Sequence, residues 1–390
     1  MIALPHSHSL DIEVTDDIAD AGRYRAAWDE LAQTVERPYC APAWMLSWFR
    51  NCAPPGAQPR IIVARDDGRV VGLAPFFLHP GRFGMRGYRL LGAGSSHRIE
   101  PLAQPGREGE VASVVASTLA GFTPAAVVTQ LEGVDGSSAW PAQLREAWPG
   151  SLRPRLRREF ALGAPTLDLG GQTFDSWLAS RSANFRQQML RRRRRVARAG
   201  AHIYVCSDDQ QLRKAMPAFA RLHYARWASR GGSRALDVGM ERTILEAGLE
   251  LVESGRLQLW ILEAEGRPVS AQLFVRAGGE LAYWGGGFEA SWEREAPSQL
   301  VIFSVVEHAI STGVQRVDFA GGVQPYKLRF ANGDHPIVWW SLFPLNARYA
   351  VTQAQMQPRR MRRTARMLVN RLPPGPREQV KRAARAARLA

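Results

Sequence analysis

Cysteine and lysine are scarce in this chain, and no long apolar run occurs in it. Cys40, Cys52 and Cys206 are scattered, with no Cys-x-x-Cys pair. An odd, sparse set excludes a disulfide framework and fits a reducing compartment. No cluster of His, Cys, Asp or Glu has metal-ligand spacing; His6 and His8 stand alone near the start, so no metal is expected. No stretch of apolar residues is long enough for a membrane-spanning helix. The opening MIALPHSHSLDIEV lacks a basic segment followed by an apolar one, so no secretory signal is expected and the expected location is cytoplasmic. The only lysines are Lys214, Lys327 and Lys381.

Arginine supplies almost all of the basic charge, and the formal net charge is +15. Arginine-rich coding accounts for part of this excess without functional meaning. The rest points to an anionic partner: phosphate groups, nucleic acid or a membrane surface. At 390 residues the chain exceeds one ordinary domain, so two are expected.

The pattern along the chain repeats. In the first half, residues 10–15 read as a strand, and 18–34 and 42–49 as helices. Arg60–Arg65 and Val70–Leu78 read as a hairpin around Asp66-Asp67-Gly68-Arg69. Arg89–Ala93 and Val111–Leu119 follow as a strand and a helix. In the second half the same order returns: Leu257–Ala264, a turn at Glu265-Gly266-Arg267, Pro268–Val275, Glu280–Gly287, a helix over 297–312, and Arg316–Phe319. This order suggests an internal duplication. The boundary is expected just after the Pro-, Gly- and Arg-rich 148–158, giving units at 1–160 and 161–345 and a basic helical tail at 346–390.

Four features carry candidate chemistry. Phe185 to Gly200 has helical spacing, with Ser182 as N-cap, Gly200 as C-cap and five successive arginines, Arg191–Arg195. Five adjacent arginines wrap around a helix. The segment reads either as a solvated basic helix or as a site where Asn184, Arg186 and Arg191 hold an anionic substrate. Tyr283-Trp284-Gly285-Gly286-Gly287-Phe288 is a strand ending in glycine. It reads either as a simple bulge or as backbone left open to an extended ligand, with Tyr283 and Trp284 on the substrate side. Pro297-Ser298-Gln299 opens a long helix whose N-terminus suits a pyrophosphate. Finally, Asp318 ends a strand before a Gly-Gly turn and the adjacent Tyr326 and Lys327.

Asn184-x-Arg186, Pro297-Ser298-x-Leu300 and Asp318-Phe319-Ala320-Gly321-Gly322 with Tyr326-Lys327-x-x-Phe330 together resemble the CelD-type acetyltransferases. These are double-GNAT proteins associated with cellulose or exopolysaccharide production, similar in architecture to Fem-type aminoacyl-transferases. The resemblance covers about residues 20–345 and is strongest at 170–332. It implies an α/β (α+β) fold of two tandem GNAT-like domains, each a mixed, mostly antiparallel sheet of five to seven strands flanked by helices. It also implies acetyl-CoA or another acyl-CoA as co-substrate, held in the second unit by Gly285, Gly286, Gly287, Phe288, Pro297, Ser298 and Gln299. The Gln/Arg-x-x-Gly-x-Gly/Ala loop usual in GNAT proteins is missing at 296–300.

Direct transfer needs a base, an oxyanion donor and an acid for the leaving thiolate. Asp318 is the candidate base or orienting group, Tyr326 the acid, and Lys327 a group that neutralises phosphate or orients the acceptor. The amides of Gly286 and Gly287 are candidate oxyanion donors. The expected acceptor is a small molecule or glycan precursor, and an acyl carrier protein is an alternative donor. The basic tail could rest on anionic lipid at the inner face of a membrane. Nucleic acid is not expected as a partner, because no nucleic-acid-binding motif is present. Further alternatives stand beside the acyltransferase: a Fem-like transferase using aminoacyl-tRNA, and a non-catalytic GNAT-like scaffold or nucleic-acid-binding protein.

Overall fold

The structure is a computed structural model. It describes residues 10–81, 85–228, 232, 233, 235–371, 375, 376, 379 and 380. The first unit runs β1 Asp11–Thr15, α1 Arg25–Thr34, α2 Pro42–Cys52, β2 Gln58–Asp66, β3 Arg69–His79, β4 Gly87–Leu90, β5 Leu102–Ala103, α3 Glu108–Gly121, β6 Val128–Asp135, α4 Trp140–Glu146 and β7 Arg155–Leu162. The second runs β8 Pro165–Asp168, α5 Phe174–Ala179, α6 Ala183–Arg198, β9 His202–Val205, α7 Asp209–Ala228, α8 Val238–Leu251, β10 Leu257–Ala264, β11 Arg267–Ala277, β12 Glu280–Phe288, α9 Pro297–Ser311, β13 Arg316–Asp318, α10 Pro325–Leu328 and β14 Gly333–Asp334. β15 Ile337–Phe343 and α11 Tyr349–Arg371 follow.

Both sheets are mixed and mostly antiparallel, with helices against them. The first has the order β1-β2-β3-β4-β6-β15-β7, with β5 beside β3; the second has the order β14-β8-β13-β12-β11-β10-β9. Each contains one parallel pair, β4 with β6 and β12 with β13. The central hairpins match too. Asp67 and Gly68 lie at φ 45° and 77°, and Glu265 and Gly266 at 53° and 70°. Two successive positive φ values suit the right-handed twist of the flanking strands.

Two boundaries differ from the sequence expectation. β7 continues to Leu162 in the first sheet, past the division at 160. β15, expected with the second unit, pairs with β6 and β7. The position beyond each parallel pair is thus filled from outside the core run of its unit: β15 returns from the end of the second unit, and β8 precedes it. The first sheet also exceeds the expected strand number, because β15 and the two-residue β5 join it.

The two units share one core. Trp28, Trp44 and Phe77 belong to the same buried cluster as Phe219, Ile244 and Leu273. A Cβ on Gly239 would lie 2.5 Å from the carbonyl oxygen of Asn51, which is how closely α8 approaches α2. A second cluster, with Trp177, Phe185, Phe303 and Phe330, lies between the second sheet and α5, α6 and α9. The first part of the tail is docked as well. Arg360 on α11 forms a two-pronged ion pair with Glu159 of β7, at 2.8 and 2.9 Å.

Candidate functional site

β12 and β13 pair only from Glu280–Ala282 to Arg316–Asp318. β12 then continues through Tyr283–Phe288 without a strand on that side among the described residues, while the chain after Asp318 turns away. The opening lies above the loop 319–324 and beside the start of α9. The corresponding divergence in the first unit is filled by its own chain. Leu91 and Ile99 are fully buried, and the amide of Arg98 donates to the carbonyl of Gly133 on β6.

One strand residue organises the second opening. Gln272 of β11 accepts from the Tyr283 hydroxyl at 2.8 Å, and its amide donates to Ser298 Oγ at 2.9 Å and to the carbonyl of Gly287 at 3.4 Å. It joins three of the sequence-predicted residues into one buried network. Tyr283 in turn lies beside Tyr326, and Arg226 of α7 acts electrostatically on both. Burial raises the Tyr326 phenol above its ordinary value, with Arg226 and Tyr283 opposing. It is therefore protonated at neutral pH.

Lys327 is buried, and its ammonium donates to the carbonyls of Ala320 and Gly321 at 3.3 and 3.2 Å. Burial lowers its pKa to about 8, with Asp318 opposing. Ala320 lies at φ 58° and its amide donates to Asp318 Oδ1 at 2.8 Å, so the tight loop after β13 directs its carbonyls inward.

Asp318 is not a free base. Its Oδ1 takes the Ala320 amide, and its Oδ2 accepts from Arg98 Nε of the first unit at 2.6 Å. Arg98 also binds Asp135 and donates to the carbonyl of His335 at 2.8 Å. Burial alone would raise the Asp135 carboxyl, but Arg98 and the Ser137 donors outweigh it and hold it at about 2. Asp318 is one arm of a buried ionic cluster between units, with both carboxylate oxygens engaged, where a free proton acceptor was expected.

The glycines also differ from their expected use. A Cβ on Gly287 would lie 2.1 Å from the carbonyl oxygen of Leu222, and one on Gly286 would lie 2.3 Å from Gln272 Oε1. Their small size admits α7 and Gln272. Trp284 sits at a bulge, opposite no residue of β11, and its indole donates to the carbonyl of Ser95 at 3.2 Å. It joins the two units. Phe288 lies under the guanidinium of Arg226, 5.1 Å from its ring centre.

At α9 the amides of Gln299 and Leu300 turn back to the Ala296 carbonyl at 2.9 and 3.1 Å, so the helix end offers fewer free donors than expected. Side chains converge there in compensation. Arg329 donates to Gln299 at 3.1 Å and to Gln188 at 3.0 Å, and Gln188 donates to Asn184 at 2.7 Å. Arg192 lies in the same group. Burial, then Arg329, lowers its pKa, and its Nη1 has no partner among the described residues. Pro297 occupies the first turn. Arg186 is withdrawn from this group, because it donates to the carbonyls of Ala179 and Arg181. Arg191 is exposed on the outer side of α6, in a shallow hollow with Asn184 and Arg194.

Sequence reasoning missed Arg98, Gln272, Arg226, Arg192 and Arg329. Arg192 stood within the arginine run, and Arg329 lay two residues past the Tyr-Lys pair. The other three gave no signal, since each is an ordinary residue until the fold brings distant segments together. Among the described residues no group of side chains is arranged to hold a metal ion.

Residues 183–328 match the family described as acetyltransferase (GNAT) domain. No curated protein matches the chain. The fold is shared with FemX, at 12% identity and a TM-score of 0.61 over 90% of this chain and 100% of that one. It is also shared with the C-terminal domain of a protein named as a lysylphosphatidylglycerol synthetase from Agrobacterium fabrum, at 10% identity and a TM-score of 0.54 over 87% and 97%. A conserved protein of unknown function from Bacteroides thetaiotaomicron is similar at 14% identity and a TM-score of 0.54, over 86% and 100%.

Proposed function

We propose that the chain is an acyltransferase that moves an acetyl or other acyl group from acyl-CoA directly to an amine or hydroxyl of a small-molecule, sugar or polysaccharide-precursor acceptor. The observation that carries this reading is the open edge of β12 beside β13, bordered at one end by Tyr326 and Lys327 and at the other by α9 with Arg192 and Arg329. An extended amide arm fits along an unpaired strand edge. Guanidinium groups at the far end suit the phosphates of the donor.

The residues divide the work as follows. The acceptor nitrogen or oxygen attacks the thioester carbonyl, and the C–S bond breaks. Tyr326, protonated and flanked by Arg226, gives its proton to the leaving thiolate. The acceptor proton passes to Lys327 in its neutral form, which a pKa of about 8 makes accessible. Asp318 holds the 319–324 loop through Ala320 and so aims the carbonyls that anchor Lys327. Among the described residues no Ser-His-Asp or Cys-His constellation stands at this opening, and transfer is written without a covalent acyl-enzyme.

The fold shared with FemX favours a second reading, an aminoacyl-tRNA donor at the same opening, with the exposed arginines of α6 against RNA. The test is free-thiol release from acetyl-CoA with a panel of amine and hydroxyl acceptors, beside a salt-dependent RNA shift. Thiol release without an RNA shift supports the first reading; tight RNA binding without thiol release supports the second.

A further inference from the structure

We infer that the face formed by α11 and the edge strand β7 docks on an anionic lipid surface. From His335 to Arg377 the chain carries eight arginines and no aspartate or glutamate. α11 uses one side to pack on the body. Thr352 is buried, Met356 packs beside Val127 and Phe343, and Arg360 is spent on Glu159. The other side is apolar and open. Val351 is 55% exposed, Met361 70% and Leu368 58%, and Ala354 and Ala365 are exposed between them. At 3.6 residues per turn these five fall in one stripe. Beside the helix, β7 is the last strand of its sheet, with Arg155, Arg157 and Arg158 exposed and Leu152 65% exposed just before it.

An apolar stripe on a helix rich in arginine and free of acidic residues is the pattern of a segment that lies in the lipid headgroup region. No helix among the described residues is long and apolar enough to cross a membrane, so α11 lies on the surface instead. A second copy of this chain is disfavoured as the occupant, because two faces with so large an excess of arginine over acid repel. RNA would satisfy the arginines but would leave the open Val351, Met361 and Leu368 without burial. The face also adjoins the site. Leu162, at the end of β7, touches Gly321, and the amide of Gly322 donates to Gly163 at 2.8 Å.

The test is co-sedimentation of the full chain with vesicles of phosphatidylcholine alone, and of phosphatidylcholine and phosphatidylglycerol in equal parts, at low and high salt. The account expects binding only to the anionic vesicles, weakened by salt, and weakened about tenfold or more in Met361→Gln/Leu368→Gln. Both side chains are exposed, so the variant keeps its fold, which an unchanged melting temperature verifies. Equal binding to both vesicles, no binding, an unchanged variant, or binding to a structured RNA with none to vesicles would overturn it.

Discussion

Arg98 of the first unit and Asp318 of the second are bonded Nε to Oδ2 at 2.6 Å, and their side chains are only 2% and 3% exposed. With Asp135 they make a buried cluster beside the loop whose carbonyls accept from Lys327. Removing one partner of a buried pair leaves uncompensated charge. Arg98→Ala therefore destabilises the protein by about 3–5 kcal/mol, measured by urea unfolding. A loss below about 1 kcal/mol would mean that water replaces the guanidinium and that the cluster does not join the units.

Gly285 and Gly287 separate two readings of the glycine run. A Cβ on Gly287 meets Leu222 backbone at 2.1 Å, whereas one on Gly285 finds nothing closer than His223 at 4.0 Å. Gly287→Ala is expected to cost about 1–3 kcal/mol or more, and Gly285→Ala to be nearly neutral, by thermal melting. Equal effects would show that the glycines are not set by the packing of α7.

Much of the fold was legible because it is written locally. The hairpin turns at Asp67-Gly68 and Glu265-Gly266, the Ser182 cap on α6 and Pro297 at the start of α9 are all short-range signals, and each stands in the structure. β15 fell within the span 161–345 assigned to the second unit, yet it joins the first sheet, because an apolar run such as Ile337–Phe343 does not name its neighbours. The site was legible only in part. Tyr326 and Lys327 stand out beside a glycine turn, but Asp318 reads as a base until its partner 220 residues away is known. Gln272 hides inside a buried strand, where a polar residue gives no periodic signal.

On the proposed mechanism Lys327 sets the pH dependence. Burial lowers its pKa to about 8, so the ammonium prevails below that pH and the neutral amine above it. A neutral amine accepting the acceptor proton makes kcat/KM rise as pH passes upward through about 8, on top of any titration of the acceptor itself. Lys327→Arg should remove this limb. Its persistence in the variant would assign it to the acceptor.

Tyr326→Phe should lower kcat by about 100- to 10,000-fold, the range for a lost general acid, with CoA affinity by calorimetry nearly unchanged. Loss of affinity with turnover retained would make Tyr326 part of the binding wall instead.

The central claim is that the donor lies along the open edge of β12 and not in the first unit. Hydrogen–deuterium exchange with and without CoA tests it most directly. The account predicts slowed exchange in residues 283–299 and 319–327 and no change in 87–100, where the first unit's own chain fills the corresponding space. Protection in 87–100 alone, or no protection anywhere at saturating CoA, would contradict it.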